Sequence, residues 1–200
     1  MDIKRQILHE PDFIERLQQG DETAFRQMVA DWKDRIYNTA LGIVQHESDA
    51  DDITQEVFLA AWRSLQDFRA EATAGTWLYQ ITVRKAVDHL RKMKRQKRFG
   101  WIQSIWGKEI RLETDAPDFI HPGVQMEKKQ DAAILFAAIR QLPEQQRIAF
   151  SLQKVEGLSV LEIAAITGVS VGAVESLLQR AKNNLRKSLA TFYQNNRHEG

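Results

Sequence analysis

Ser176, Gln179, Arg180, Lys182 and Asn183 lie close together near the end of a 200-residue chain. Each can hydrogen-bond to a base edge or a phosphate, and no acid occurs between Glu175 and Glu199. Two further charge clusters stand apart from this one. Arg84, Lys85, Arg91, Lys92, Lys94, Arg95, Lys97 and Arg98 form a basic run broken only by Asp88, and Glu47, Asp49, Asp51, Asp52 and Glu56 form an acidic run without Lys or Arg. A net charge of +1 conceals this separation. A basic stretch beside an acidic one points to two different partners, although two solvated helix faces would look the same from charge alone.

Residue types that perform bond chemistry are not gathered anywhere. The sequence has no GxGxxG, P-loop, GxSxG or HExxH. Its five histidines (His9, His46, His89, His121, His198) are scattered, and no two have metal-ligand spacing. Asp49-Ala50-Asp51-Asp52 opens like a calcium loop but lacks the glycine at its sixth position and the acid at its twelfth. With no cysteine there is no disulfide framework, thiolate metal site or thiol nucleophile, which fits a reducing cytoplasm. The expectation is a non-enzymatic protein without metal or cofactor. A hydrophobic fraction of 43% permits real cores, and 28% charged residues favours solubility. The sequence contains no membrane-span-length apolar run and no signal-peptide core in MDIKRQILHEPDF.

The elements that would position these residues are helices. Ser159 stands three residues before Glu162, so hydroxyl and carboxylate can cap a helix N-terminus reciprocally. Ile163 and Ile166 give that helix a buried face, and Gly168 supplies the left-handed residue that ends it. Ser170 can cap the next helix, whose Val174, Leu178, Ala181 and Leu185 repeat at helical spacing. So short a turn forces a steep crossing, the helix-turn-helix arrangement, in which the second helix enters a major groove by its start. A structural helical hairpin is the bland alternative, and the polar face of the second helix weighs against it.

Upstream, helical period dominates. It predicts helices over Asp12–Gln19, Asp21–Val44 (Phe25, Met28, Trp32, Ile36, Ala40 and Val44 apolar), Asp51–Leu65 and Trp77–Gln96, then Val124–Gln141 and Pro143–Val155. In Asp51–Leu65, Ile53, Val57, Ala61 and Leu65 make the core side. Asp52, Gln55, Glu56, Leu59 and Arg63 lie elsewhere, mixing acid, amide and apolar groups as a specific protein contact does. The loop Ala70–Gly75 leads through Trp77 into the basic helix, an order that suits single-stranded or distorted DNA, although Trp77 alone reads more readily as core. Residues 99–123 hold Gly100, Gly107, Pro117, Pro122 and Gly123, so they are read as a linker between helical domains. The linker's Trp101, Trp106 and Phe119 make it too apolar for an inert tether. The expected architecture is all-α, with domains at 12–98 and 124–190.

The order DADDITQEVFLAAW, FRAEATAGTWLYQI and AVDHLRK, then LPEQQRIAFSLQKVEGLSVLEIAAITGVSVGAVESLLQRAKNNLR, resembles the extracytoplasmic-function (ECF) sigma factors of bacterial RNA polymerase. The resemblance covers nearly the whole chain. It implies that Asp52, Gln55, Glu56 and Leu59 dock on the clamp helices of the polymerase beta-prime subunit. It implies that Phe68–Thr76, with Phe68, Arg69, Thr73, Ala74 and Thr76, captures a flipped base of the promoter minus-ten element. Arg84, Lys85, Asp88, Arg91 and Lys92 on the following helix would hold the melted strand edge. Ser159, Ser170, Val171, Gly172, Ala173, Glu175, Ser176, Gln179, Arg180 and Lys182 would belong to the module that reads the minus-thirty-five element.

The same resemblance implies a linker threading toward the polymerase active site, with Glu109, Glu113, Asp115 and Asp118 occupying nucleic-acid channels. It further implies contact with the beta flap, control by an anti-sigma factor, a monomeric free protein and no membrane insertion. Ala74, Gly75, Arg84, Glu175 and Leu177 depart from residues frequent in that family. Two other readings remain beside it at this point. One is a stand-alone helix-turn-helix regulator that binds duplex operator unaided, the other an adaptor whose two helical domains bind proteins.

Overall fold

A computed structural model describes residues 11–68, 73–105 and 134–196. All regular structure among them is helical. The helices are α1 (Pro11–Gln18), α2 (Glu22–Val44), α3 (Glu47–Ser64) and α4 (Ala74–Ile105). They continue as α5 (134–140), α6 (Glu144–Lys154), α7 (Val160–Thr167) and α8 (Val171–Asn196).

Local chemistry sets most boundaries. Asp21 caps α2, its carboxylate accepting from the Thr23 and Ala24 amides at 2.8 and 3.2 Å. The Arg16 guanidinium, 2.7 Å away, holds that carboxyl below the usual carboxylate range, with the cap bonds acting in the same direction. α2 ends where Gln45 turns left-handed at φ 61, the one positive-φ non-glycine described. Its own side-chain amide donates to the Gly42 carbonyl at 2.8 Å and helps hold that turn.

Helices α1 to α4 enclose one core. Met28, Trp32, Ile36, Ala40 and Ile43 of α2 meet Ile53, Val57 and Ala61 of α3 and Leu78, Tyr79 and Ala86 of α4. Gly75 lets α4 close on α2, since a Cβ there would lie 2.5 Å from Cη2 of Trp32. Gly75→Ala should cost about 1–3 kcal/mol through overpacking against a rigid indole. Denaturant unfolding of the full chain checks this, and an unchanged midpoint would show that Trp32 yields freely.

The helix expected to stop at Gln96 runs on to Ile105, through Gly100. One interior glycine costs only about 1 kcal/mol, and the Lys, Arg and Gln around it are good helix formers. The start of the linker read from sequence is therefore helical. Its remainder from residue 106, with Glu109, Glu113, Asp115 and Asp118, lies outside the described residues, as do 124–133 of the helix expected next.

A second difference concerns the two halves. The domains expected at 12–98 and 124–190 imply that each half buries its own apolar stripes. Yet Ile148 and Leu152 of α6, Ile163 and Ile166 of α7, and Val174 and Leu178 of α8 belong to the same apolar cluster as α1 to α4. Among the described residues, only a smaller cluster, Ala138, Ile139, Leu142, Ala181 and Leu185, is private to the C-terminal half. Periodicity marks a face as buried and cannot say which element covers it.

Candidate nucleic-acid interface

The C-terminal module is built as its capping residues dictate. Ser159 Oγ accepts from the Glu162 amide at 3.2 Å, and the Glu162 carboxylate accepts from the Ser159 amide at 2.8 Å. Gly168 follows at φ 72, and its amide closes α7 onto the Ala164 carbonyl. Ser170 Oγ then accepts from the Ala173 amide at 3.3 Å. The chain turns through 106° between α7 and α8, a steep crossing of the kind a helix-turn-helix makes. Val174, Leu178, Ala181 and Leu185 are all buried. That fixes the rotation of α8, and Glu175, Ser176, Gln179, Arg180 and Lys182 are consequently exposed. Val171 and Gly172 lie exposed at its start, Ala173 is half-buried, and Ser159 and Ser170 are exposed caps.

Helix α3 presents another surface. Asp52, Gln55 and Glu56 are exposed, opposite buried Ile53 and Val57. Leu59 is 56% exposed and Trp62 38% exposed, with the Trp62 indole edge-on to Phe25 at 4.7 Å between ring centroids. Trp62 was not singled out from sequence, although it lies three residues beyond Leu59 and extends the same mixed acidic and apolar face. Glu56 also meets Lys85 of α4 at 3.0 Å, so the acidic face and the basic helix touch.

The residues expected around the minus-ten element are distributed unevenly. Phe68 is buried and tilted against Trp77 at 4.9 Å, and Ala74, the first residue of α4, is buried. Both side chains are occupied in shaping the turn, and neither is displayed. Trp77 itself packs on the core, as its bland reading had it. Thr73 is exposed and Thr76 half-buried, their hydroxyls 3.0 Å apart, while the Thr76 amide donates to Thr73 Oγ1. Arg69 lies outside the described residues. Arg84, Asp88, Arg91 and Lys92 are exposed on α4, and Lys85 is half-buried against Glu56.

Arg84, Asp88 and Arg91 also border a cleft of about 500 Å³ whose far wall is formed by Gln145, Ile148 and Ile166 of α6 and α7. Polar ties cross between the halves near it. Tyr79 Oη donates to Glu156 at 2.7 Å, Gln80 Nε2 donates to the Ala165 carbonyl at 3.0 Å, and Lys94 pairs with Glu144 at 2.9 Å. Burial, reinforced by the Glu156 carboxylate, pushes the Tyr79 phenol well up, so it stays protonated and keeps donating. None of these ties carries a local sequence signal.

His46 and His89, scattered in sequence, converge on one carboxylate. Asp49 Oδ2 is 3.4 Å from His46 Nδ1 and 3.1 Å from His89 Nε2. Among the described residues no group of three His, Cys, Asp or Glu side chains is placed to hold a metal ion. No single helix among them is long and apolar enough to cross a membrane.

Two segments of the chain match known families. Residues 28–96 match the family described as Sigma-70 region 2, and residues 132–185 match Sigma-70, region 4. The RNA polymerase sigma-H factor of Pseudomonas aeruginosa is 31% identical over 176 residues, covering 88% of this chain and 91% of that one. The ECF RNA polymerase sigma-E factor of Haemophilus influenzae is 32% identical over 176 residues, covering 88% and 93%. Among solved structures, the sigma factor RpoE of Bartonella quintana, in complex with the anti-sigma factor NepR, superposes with a TM-score of 0.65 at 25% identity. That match covers 83% of this chain and 96% of the other. An all-helical chain with a region 2 core and a region 4 helix-turn-helix is a sigma factor, a DNA-binding regulator of transcription initiation. The chain belongs to the extracytoplasmic-function sigma factors of bacterial RNA polymerase.

Proposed function

We propose that this chain confers promoter specificity on core RNA polymerase through three separate surfaces. Asp52, Gln55, Glu56, Leu59 and Trp62 dock α3 on the beta-prime clamp helices. The basic face of α4, with Arg84, Arg91 and Lys92, holds the minus-ten element as it opens. The start of α8, with Ser176, Gln179, Arg180 and Lys182, enters the major groove of the minus-thirty-five element, with the beta flap beside its module. Domain limits of 12–98 and 124–190 follow from that division of labour, and residues 99–123 connect them toward the polymerase active site. Acting on polymerase places the protein in the bacterial cytoplasm, as a monomer until it assembles. An anti-sigma factor is the expected negative regulator, because the Bartonella quintana relative was solved with one.

The observation that carries this reading is the rotation of α8. Four buried apolar residues leave its groove-entering turns bare, with polar side chains on the open side. Run-off transcription with core polymerase on a randomised promoter library tests the whole reading. A stand-alone regulator would instead bind duplex DNA without polymerase. Within that library, Arg180→Ala separates two contacts. Loss of a guanine contact relaxes preference at one upstream position by roughly 1–3 kcal/mol and spares the minus-ten preference. Loss of a phosphate contact weakens all promoters alike. A changed minus-ten preference would remove α8 from the upstream role.

A further inference from the structure

Glu175 is a charge without a structural use. It is exposed at the fifth residue of α8 and makes no hydrogen bond or ion pair among the described residues. It caps nothing, since Ser170 Oγ accepts from the Ala173 amide, and the pull of the helix macrodipole on an anion fades beyond the first turn. Arg180, Lys182, Arg186 and Lys187 follow it, so an acid here opposes the basic character of the helix. A helix entering a major groove brings such a carboxylate toward phosphates, which repel it. Solvation accounts for Glu175 in the isolated chain but returns nothing for that repulsion.

Two neighbours on the open side of α8 give this carboxylate a setting. Val171 stands one turn before Glu175 and is 38% exposed, although it is a large apolar residue. Gly172 stands three residues before Glu175 and four before Ser176, away from buried Val174 and Leu178. Its backbone is not left-handed, and a Cβ there would meet nothing within 4 Å. Neither conformation nor packing therefore requires glycine, one of the poorest helix formers. What glycine provides at that place is a lowered surface, over which another molecule can come close to the helix. An apolar side chain, a bare backbone and an acceptor-only side chain thus adjoin within the groove-entering turns.

Base chemistry selects one partner for that combination. A carboxylate only accepts, and in the major groove guanine (N7 and O6) and thymine (O4) offer it no donor. Cytosine N4 and adenine N6 do. Beside adenine N6 lies the N7 acceptor, which would repel the carboxylate, whereas beside cytosine N4 lies the apolar C5 edge, which suits Val171. We propose that Glu175 selects a cytosine in the minus-thirty-five element, accepting from its N4 amino group, with Val171 on the C5 edge and Gly172 admitting the base. The inference rests on α8 as the reader of that element.

Transcription by core polymerase with the full-length chain tests this, on promoters randomised over the upstream element and fixed elsewhere. One upstream position should favour cytosine about tenfold. Glu175→Ala should lose that preference and keep the others. Glu175→Gln should shift it to adenine, whose N6 and N7 an amide bonds together. On the selected promoter, N4-methylcytosine at that position withdraws the groove-facing donor. It should lower initiation by the wild type about tenfold and leave Glu175→Ala unaffected. Gly172→Ala should weaken initiation on the same promoter without lowering the melting temperature, since alanine is the better helix former. An upstream element without a cytosine preference overturns the inference, as does a preference that survives Glu175→Ala. A Glu175→Ala chain that initiates better at all promoters alike, as relief of phosphate repulsion would make it, overturns it too. Normal initiation by Gly172→Ala removes the close approach on which the contact depends. A wild type that selects no upstream element at all is a different result: it removes α8 from promoter reading, and the choice of cytosine falls with it.

Discussion

A full-length chain carrying Asp52→Ala, Gln55→Ala and Glu56→Ala is expected to bind core RNA polymerase about a hundredfold more weakly, a loss of roughly 3 kcal/mol. All three side chains are exposed, while Ile53 and Val57 on the opposite side of α3 stay buried. Removing them therefore touches no core contact, and thermal unfolding should move little. Leu59→Ala should add to the loss, because a Leu that is 56% exposed is free to enter a partner's apolar pocket. Affinity measured by fluorescence anisotropy, beside circular dichroism of the same samples, decides the matter. Unaltered affinity, or an unfolded variant, would remove α3 from the docking role.

The second large effect is expected on α4. With Arg91, Lys92 and Lys94 all replaced by Ala, open-complex formation should weaken, and its dependence on salt should flatten. Three lost contacts to single-stranded phosphate lower the slope of log affinity against log salt by about 2. Polymerase binding should survive, since these residues lie on a different helix from Asp52 and Gln55. Permanganate footprinting of promoter melting across a salt series gives the slope directly. Normal melting with an unchanged slope would assign the basic run to solvation alone.

What could be read from the sequence and what could not divides along a physical line. Val174, Leu178, Ala181 and Leu185 repeat at helical spacing within one helix, and the Ser159–Glu162 box and Gly168 are local signals, so the whole helix-turn-helix was legible. The same holds for the exposed Asp52, Gln55 and Glu56 opposite Ile53 and Val57. Contacts set by distant neighbours were not legible. Nothing local announces that Gly75 abuts Trp32, that Gly42 abuts Ser151, or that Asp49 stands between His46 and His89. Aromatic residues are placed by neighbours from other elements. Phe68, expected at a base pocket, is packed on Trp77, while Trp62 stays exposed beside Leu59 with only its edge on Phe25. The shared core was hidden for a related reason, because the stripe carrying Ile148 and Leu152 looks identical whichever half covers it.

The Lys85–Glu56 pair, half in solvent, ties the acidic face of α3 to the basic helix. A polymerase cation that takes the Glu56 carboxylate weakens its hold on the ammonium, so docking would loosen Lys85 toward DNA. Thermodynamic reciprocity then makes the effect mutual: DNA must strengthen the grip on polymerase by the factor with which polymerase strengthens the grip on DNA. The worth of an exposed ion pair limits that factor. At up to about 1 kcal/mol, such a pair gives a cooperativity no greater than about fivefold. A coupling of that size biases the order of assembly without making either step obligatory.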